Sequence, residues 1–375
     1  MKKILLCAGT RPEAIKLAPL VLLLRNRPQD FAVRLCATGQ HREMLRQAFA
    51  DFGLAPDVDL DVMTHDQTLA STSARLFAAF DGLLSQEQPD VVLVQGDTTT
   101  VMTASLCSFY RNIPVGHVEA GLRSFDRKAP FPEEVNRRIA GIVADLHFCP
   151  TEVSKANLLR EGIPEQAIHV TGNTVIDALL FMQKEVRAKP RPFPPAVAAA
   201  LAENRRLVLV TGHRRENFGD GFRDICLAIR QLSQRHPDVR FVYPVHLNPH
   251  VQKPVYEILG DSPGIILCPP QPYKDFVQLM DNSCIILSDS GGIQEEAPTL
   301  GKPVLVMREV TERPEGVLSG TSILVGTNVE KIVKESDRLL TDAAHYDSIA
   351  QIRNPFGDGK ACERIAAILK DWINA

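Results

Sequence analysis

The run Ser288-Asp289-Ser290-Gly291-Gly292-Ile293-Gln294-Glu295-Glu296 follows an apolar stretch at 284–287 that reads as a buried strand. Ser290, Gly291 and Gly292 open a helix there. A helix N-terminus offers unpaired backbone N–H groups and a positive dipole end, so it receives phosphate well. The glycines let the backbone approach the oxyanions with no Cβ in the way. About one turn on, an ionised Glu296 accepts hydrogen bonds only and suits two vicinal hydroxyls such as those of a ribose. Phosphate donors followed by a carboxylate suggest a nucleoside diphosphate. A serine-capped helix after a tight turn is the alternative, and a short glycine motif alone does not decide between them.

Other polar residues recur just after apolar runs. Gly9-Thr10-Arg11-Pro12-Glu13-Ala14-Ile15-Lys16 follows the first run. Pro12 suits a first helical turn, which sets Arg11 at a helix mouth where it can pair with phosphate, with Lys16 about one turn on. Asp97 follows the run at 91–94 and reads either as a helix cap or as a reactive acid. Glu119 ends the run at 115–118; a carboxylate there is costly to bury without a partner, so it points to function. Glu133 and Glu134 open the next helix, where acids also complement the helix dipole. Convergence of these acids would provide a general acid/base pair. In the second half, His213 stands beside Arg214 and Arg215 after Gly212 and suits proton donation to a diphosphate; His246 is a second histidine in such a position. Tyr273 or Phe276 could stack on a base whose edge meets Gln271, and Arg313 adds a cation.

Placing these groups requires strands that end together. Short apolar runs at 4–8, 33–37, 91–94, 115–118 and 146–149 alternate with amphipathic stretches, and the rhythm restarts with runs at 207–210, 240–245, 265–267, 284–287, 304–307 and 323–325. Strands buried on both faces and separated by helices predict parallel α/β sheets, and two series predict two Rossmann-like domains. Gly172-Asn173 is the expected hinge and the proline-rich 189–195 a surface loop. A last amphipathic helix at 362–372 is expected to pack back on the first domain.

Composition narrows the partners. The net charge of -3 offers no global attraction to nucleic acid or to an acidic membrane. No apolar stretch has the length of a membrane span. The eight cysteines form no CxxC, and Cys7, Cys36, Cys149, Cys268 and Cys284 lie in apolar runs, as in a reducing cytoplasm. Walker A, GxGxxG and HExxH patterns are absent, so nothing calls for a nicotinamide or a metal.

Together the motifs GTRPEAIKLAPL from Gly9, QHREML from Gln40, GDTTT from Gly96, PVGHVEAGLR from Pro114, TGNTVIDAL from Thr171, TGHRREN from Thr211, YPVHLNP from Tyr243, SGGIQEEAPTLGKPVLVMRE from Ser290 and TERPE from Thr311 resemble the non-hydrolysing UDP-N-acetylglucosamine 2-epimerases of bacteria. The resemblance spans nearly the whole chain. It implies a glycosyltransferase-B type fold, two Rossmann-like domains facing across a cleft. The first would comprise 1–172 plus 357–375 and the second 173–356. It also implies a cofactor-independent cytoplasmic enzyme, commonly a homodimer, that interconverts UDP-GlcNAc and UDP-ManNAc. By this resemblance Arg11, Gln271, Phe276, Ser290, Gly291, Gly292, Glu296 and Arg313 contact the nucleotide. Lys16, Asp97, Glu119, Glu133 and His213 match positions tied to sugar, diphosphate or catalysis. One local departure is Arg127-Lys128-Ala129-Pro130-Phe131-Pro132-Glu133-Glu134, where many relatives have Tyr-Ser-Pro-Trp-Pro-Glu-Glu. The carboxylates survive while the sugar-side loop differs.

The resemblance also implies a regulatory second substrate site at Gln40, Glu133, Arg214 and His246. Glu43 and Asp66 stand where strongly activated relatives carry Gln and Arg, and two acids there repel a second diphosphate. Weak activation is the expectation. A retaining UDP-sugar glycosyltransferase, a hydrolysing epimerase and a non-catalytic nucleotide-sugar sensor are the rival readings.

Overall fold

The computed structural model describes residues 2–39, 42–62 and 67–374. Gln40 and Asp66, both named for the regulatory site, lie outside these residues. By internal contacts the chain forms two units, Met1–Phe181 with Phe356–Ala375, and Met182–Pro355. The helix Thr174–Ala188 runs through the first of these divisions.

Among the described residues the first unit holds seven parallel strands: β1 (Lys2–Ala8), β2 (Phe31–Ala37), β3 (Val58–Asp59), β4 (Val91–Gln95), β5 (Val115–Val118), β6 (Leu146–Cys149) and β7 (Ile168–Val170). Their order is β3-β2-β1-β4-β5-β6-β7. Residues 4–8 of β1 and 91–94 of β4 are fully buried or nearly so, because helices cover both faces of a parallel sheet. Leu5, Val92 and Val94 pack with Leu76, Phe80 and Val101 from the helices Leu69–Glu87 and Thr99–Tyr110. β3 and β7 were not foreseen from sequence. They are edge strands of two and three residues, too short to carry a periodic signal.

The C-terminal helix Ala361–Asn374 belongs to the first unit, as expected, and packs on the helix Arg11–Arg25. Asp177 fixes its start by accepting the backbone N–H groups of Ala361 (3.2 Å) and Cys362 (2.9 Å), two donors that the helix itself leaves unpaired.

The second unit repeats the plan with β8 (Arg206–Thr211), β9 (Val239–Pro244), β10 (Ile265–Cys268), β11 (Ser283–Ser288), β12 (Val304–Val306) and β13 (Ser322–Leu324). The order is β10-β9-β8-β11-β12-β13, again parallel throughout. The proline-rich 189–195 leads into a short helix, Pro195–Ala202. Among the described residues no helix is long and apolar enough to cross a membrane.

Both sheets therefore reverse their winding once, the first between β1 and β4, the second between β8 and β11. At such a point the loops leave neighbouring strands toward opposite faces of the sheet, and a crevice opens at the carboxyl ends. Arg11 and Asp97 follow β1 and β4; His213 and Ser290 follow β8 and β11.

Candidate active site

In the first unit Arg11 is the first residue of the helix Arg11–Arg25, and Lys16 lies one turn on. Lys16 forms an ion pair with Glu119, both side chains largely buried. Glu119 sits just past β5 with φ of 64°, a left-handed conformation that a non-glycine residue rarely adopts. Such strain persists only where surrounding contacts enforce it, and it clusters at functional sites. The cost of burying the Glu119 carboxylate is met by Lys16, which the sequence alone did not pair with it.

Asp97 does not cap the following helix. Thr98 is the cap, its hydroxyl accepting Val101 N–H at 3.4 Å, and Asp97 is left to pair with Arg137. The turn around it is held from several sides. His117 Nε2 donates to Gly96 C=O (2.7 Å), and Asn136 donates to Asp97 C=O (3.0 Å). Burial pushes the His117 imidazole down to about 3, so it stays a neutral donor.

Glu133 and Glu134 divide the two readings of their pair. Glu134 is fully buried and structural, accepting Ser124 N–H (3.0 Å), Phe125 N–H (3.2 Å) and Arg137 (3.3 Å). Glu133 begins the helix Glu133–Val143, and its buried Oε2 has no hydrogen-bond partner among the described residues. Arg137 and Asn136 tie this helix to Asp97, while Lys16 ties the first helix to Glu119.

Glu13 carries a role the sequence reading missed. It is 2% exposed and accepts four hydrogen bonds: from Gly9 N (3.1 Å), Thr10 N (2.7 Å), Thr10 Oγ1 (2.7 Å) and Thr98 Oγ1 (2.8 Å). It thus bolts the loop bearing Arg11 to the loop bearing Asp97. Burial raises its carboxyl from 4.5 to about 7, with the hydrogen bonds acting in the opposite sense. A raised carboxyl pKa means that the folded state holds a proton the unfolded chain releases. The resulting stability is full below about pH 4.5, declines between 4.5 and 7, and is gone above. Urea unfolding of wild type and Glu13→Gln from pH 5 to 7.5 should show this directly. The wild-type advantage should shrink by up to about 1.4 kcal/mol per pH unit. A difference that does not change with pH would refute the assignment.

In the second unit Ser290 precedes the short helix Gly291–Glu296, and its side chain makes no capping hydrogen bond there. Its N–H donates to Ser288 Oγ at 3.0 Å. A Cβ on Gly291 would stand 3.0 Å from Cζ of Arg313, so only glycine fits without displacing that guanidinium. Arg313 is itself anchored on the buried Glu295 at 2.9 Å. Tyr273 donates to Glu296 at 3.0 Å, linking Glu296 to the helix Tyr273–Asp281 that carries Phe276. Gln271 precedes that helix, and its side-chain amide donates to Pro269 C=O at 2.6 Å. Tyr273 is thus committed to Glu296, and Phe276 is the half-buried aromatic of the pair.

His213 and His246 come together, rings stacked 5.3 Å apart at 15°. His246 Nδ1 accepts the N–H of Asn248 at 3.1 Å. Arg214 Nε is buried without a hydrogen-bond partner among the described residues. Asp289, fully buried, holds the loop of His213 and Arg214 by accepting both backbone N–H groups, at 2.9 and 2.8 Å. Among the described residues no group of three or more His, Cys, Asp or Glu side chains is arranged to hold a metal ion.

Fold and sites define the class: two doubly wound Rossmann-like units of the glycosyltransferase-B type, with basic and acidic side chains gathered at the switch point of each sheet. The family model described as UDP-N-acetylglucosamine 2-epimerase matches residues 24–370. A UDP-N-acetylglucosamine 2-epimerase of Yersinia pestis is 53% identical over 371 residues, covering 98% of each chain. The crystal structure of a putative UDP-N-acetylglucosamine 2-epimerase from Listeria monocytogenes is 43% identical with a TM-score of 0.92, covering 99% of this chain and 96% of that one. The UDP-GlcNAc 2-epimerase from Neisseria meningitidis, solved bound to UDP-GlcNAc, is 44% identical with a TM-score of 0.90, covering 98% of this chain and all of the other. The chain belongs to the UDP-N-acetylglucosamine 2-epimerase family.

Proposed function

We propose that this protein reversibly inverts C2 of UDP-N-acetylglucosamine, giving UDP-N-acetylmannosamine. The observation that carries the reading is membership of the family over the whole chain, in which the acids and cations stand at the ends of β1, β4, β5, β8 and β11. The C2–H of a sugar is a poor carbon acid, so direct abstraction is disfavoured. Breaking the C1–O bond first develops oxocarbenium character, which acidifies C2–H. Loss of that proton with UDP leaves a 2-acetamidoglucal. UDP then adds back, and C2 is reprotonated from the other face.

The residues are assigned accordingly. Arg11, His213, Arg313 and the Ser290-Gly291-Gly292 backbone stabilise the departing diphosphate. Glu296 takes the ribose hydroxyls, and Gln271 and Phe276 take the base. Asp97 and either Glu119 or Glu133 supply the proton transfers at C2. Lys16 holds the Glu119 carboxylate in place by direct charge pairing.

The test is incubation with UDP-GlcNAc in deuterium oxide, followed by NMR, with EDTA present and no nicotinamide. UDP-ManNAc labelled at C2 is expected. Product without label, or activity abolished by EDTA, would overturn the mechanism. A hydrolysing enzyme would instead release free UDP and ManNAc, and a glycosyltransferase would need an acceptor and leave C2 untouched. We extend the reading to a cytoplasmic homodimer. The exposed Phe109, Tyr110 and Ile142, on two helices packed together, offer apolar surface to a second copy, and sedimentation equilibrium tests this.

A further inference from the structure

Asp289 has two oxygens with different tasks. Oδ2 accepts His213 N–H, Arg214 N–H and, at 3.4 Å, Asn217 Nδ2. Oδ1 is buried with no hydrogen-bond partner among the described residues and lies 3.7 Å from His213 Nδ1. The strand pairing makes this approach possible: Ser288 at the end of β11 is in register with Thr211 at the end of β8. The loop is further confined by Tyr243, whose hydroxyl donates to Gly212 C=O at 3.1 Å. The stacked ring of His246 fixes the plane of the imidazole.

A buried carboxylate oxygen without a donor is costly. The nearby Nδ1 is the donor the geometry offers, after a shift of under an ångström. With Nδ1 turned to Asp289, Nε2 is the nitrogen left for a ligand. Three charged or titratable groups bear on this ring: Asp289 after β11, His246 after β9 and Arg214 in its own loop. Burial lowers the imidazole pKa, Asp289 opposes that shift, and His246 and Arg214 add to it.

We propose that Asp289 is the positioning residue for His213: it accepts Nδ1–H, so Nε2 is the nitrogen that takes up a proton from solvent when the diphosphate binds, and the imidazolium donates Nε2–H to it. This rests on the role given to His213 above. Asp289→Asn separates the two tasks. Its amide oxygen can still accept the two backbone N–H groups, so the loop persists. Its amide nitrogen then donates to Nδ1, which forces the opposite tautomer and disfavours the imidazolium that would carry positive charge to the diphosphate. Asp289→Ala removes both.

Nitrogen-15 spectra of histidine-labelled wild-type protein, with His213 assigned by its loss in His213→Gln, give the tautomer directly and require no variant at 289. The Nδ1–H form is expected at neutral pH, and the Nε2–H form would overturn the proposal. In Asp289→Asn the tautomer should invert, the imidazole should titrate at lower pH, and kcat should fall by about 10-fold or more, a common scale for a lost orienting partner. In a His213→Gln background the same substitution should cost nothing further. An equal loss in both backgrounds would mean that Asp289 acts through the loop or the neighbouring Ser290, and the proposal fails. It fails too if Asp289→Asn keeps wild-type kcat, or if His213→Gln does. The deuterium assay tells separately whether the chain epimerises at all.

Discussion

Asp97→Asn is expected to lower kcat for UDP-GlcNAc epimerisation by about 10²-fold or more, the usual scale for losing a general acid or base. The amide keeps the size and hydrogen-bonding reach of the side chain but cannot exchange a proton at neutral pH. The fold should tolerate it. Arg137 retains Glu134 as an ionic partner, and Asp97 C=O still receives Asn136. Arg137 is buried but keeps the Glu134 carboxylate, so the loss should fall below the ~3–5 kcal/mol typical of breaking a buried pair. Initial rates, with deuterium entry at C2 followed in parallel, provide the measurement. Glu133→Gln belongs to the same experiment, since among the described residues its buried Oε2 has no hydrogen-bond partner. A variant within about 3-fold of wild type, well below that scale, would remove its residue from the proton-transfer pool.

Glu119→Gln should do two things at once. Proton transfer or charge at the sugar is lost, with kcat again falling about 10²-fold. The Lys16 ammonium, only 11% exposed, then faces a neutral amide. Removing one member of a buried ion pair typically costs about 3–5 kcal/mol, so stability should drop measurably as well. Lys16→Met should destabilise for the mirror-image reason. The double variant should recover much of that stability, because neither charge is then left buried, while remaining inactive. Urea unfolding of the four proteins gives the coupling, and assays of the same samples give the rates. Additive stability losses would show that Lys16 and Glu119 do not act as a pair.

The sequence by itself determined what is set locally. Apolar runs bounded by Gly, Thr and Asp dictate strands that end where polar residues begin, so β1, β2, β4, β5, β6 and the second unit's strands were legible. The strand-end residues Arg11, Asp97, Glu119, His213 and Ser290 were legible for the same reason. In an open parallel sheet, position along the chain fixes position at the crevice. Tertiary structure decided which of those groups are partners. Glu13 reads in the sequence as a first-turn acid, yet one of its oxygens accepts from Thr98, 85 residues away. Asp289 reads as part of a turn, yet it holds the backbone of residue 213, 76 residues away. Lys16 and Glu119 stand 103 residues apart and carry no mark of their pairing. Burial and long-range hydrogen bonds depend on which strands lie side by side, and strand order is a property of the whole sheet. Residue types and spacing therefore suggested the chemistry, while the order β1-β4-β5 in one sheet and the pairing of β8 with β11 in the other decided which group each acid holds.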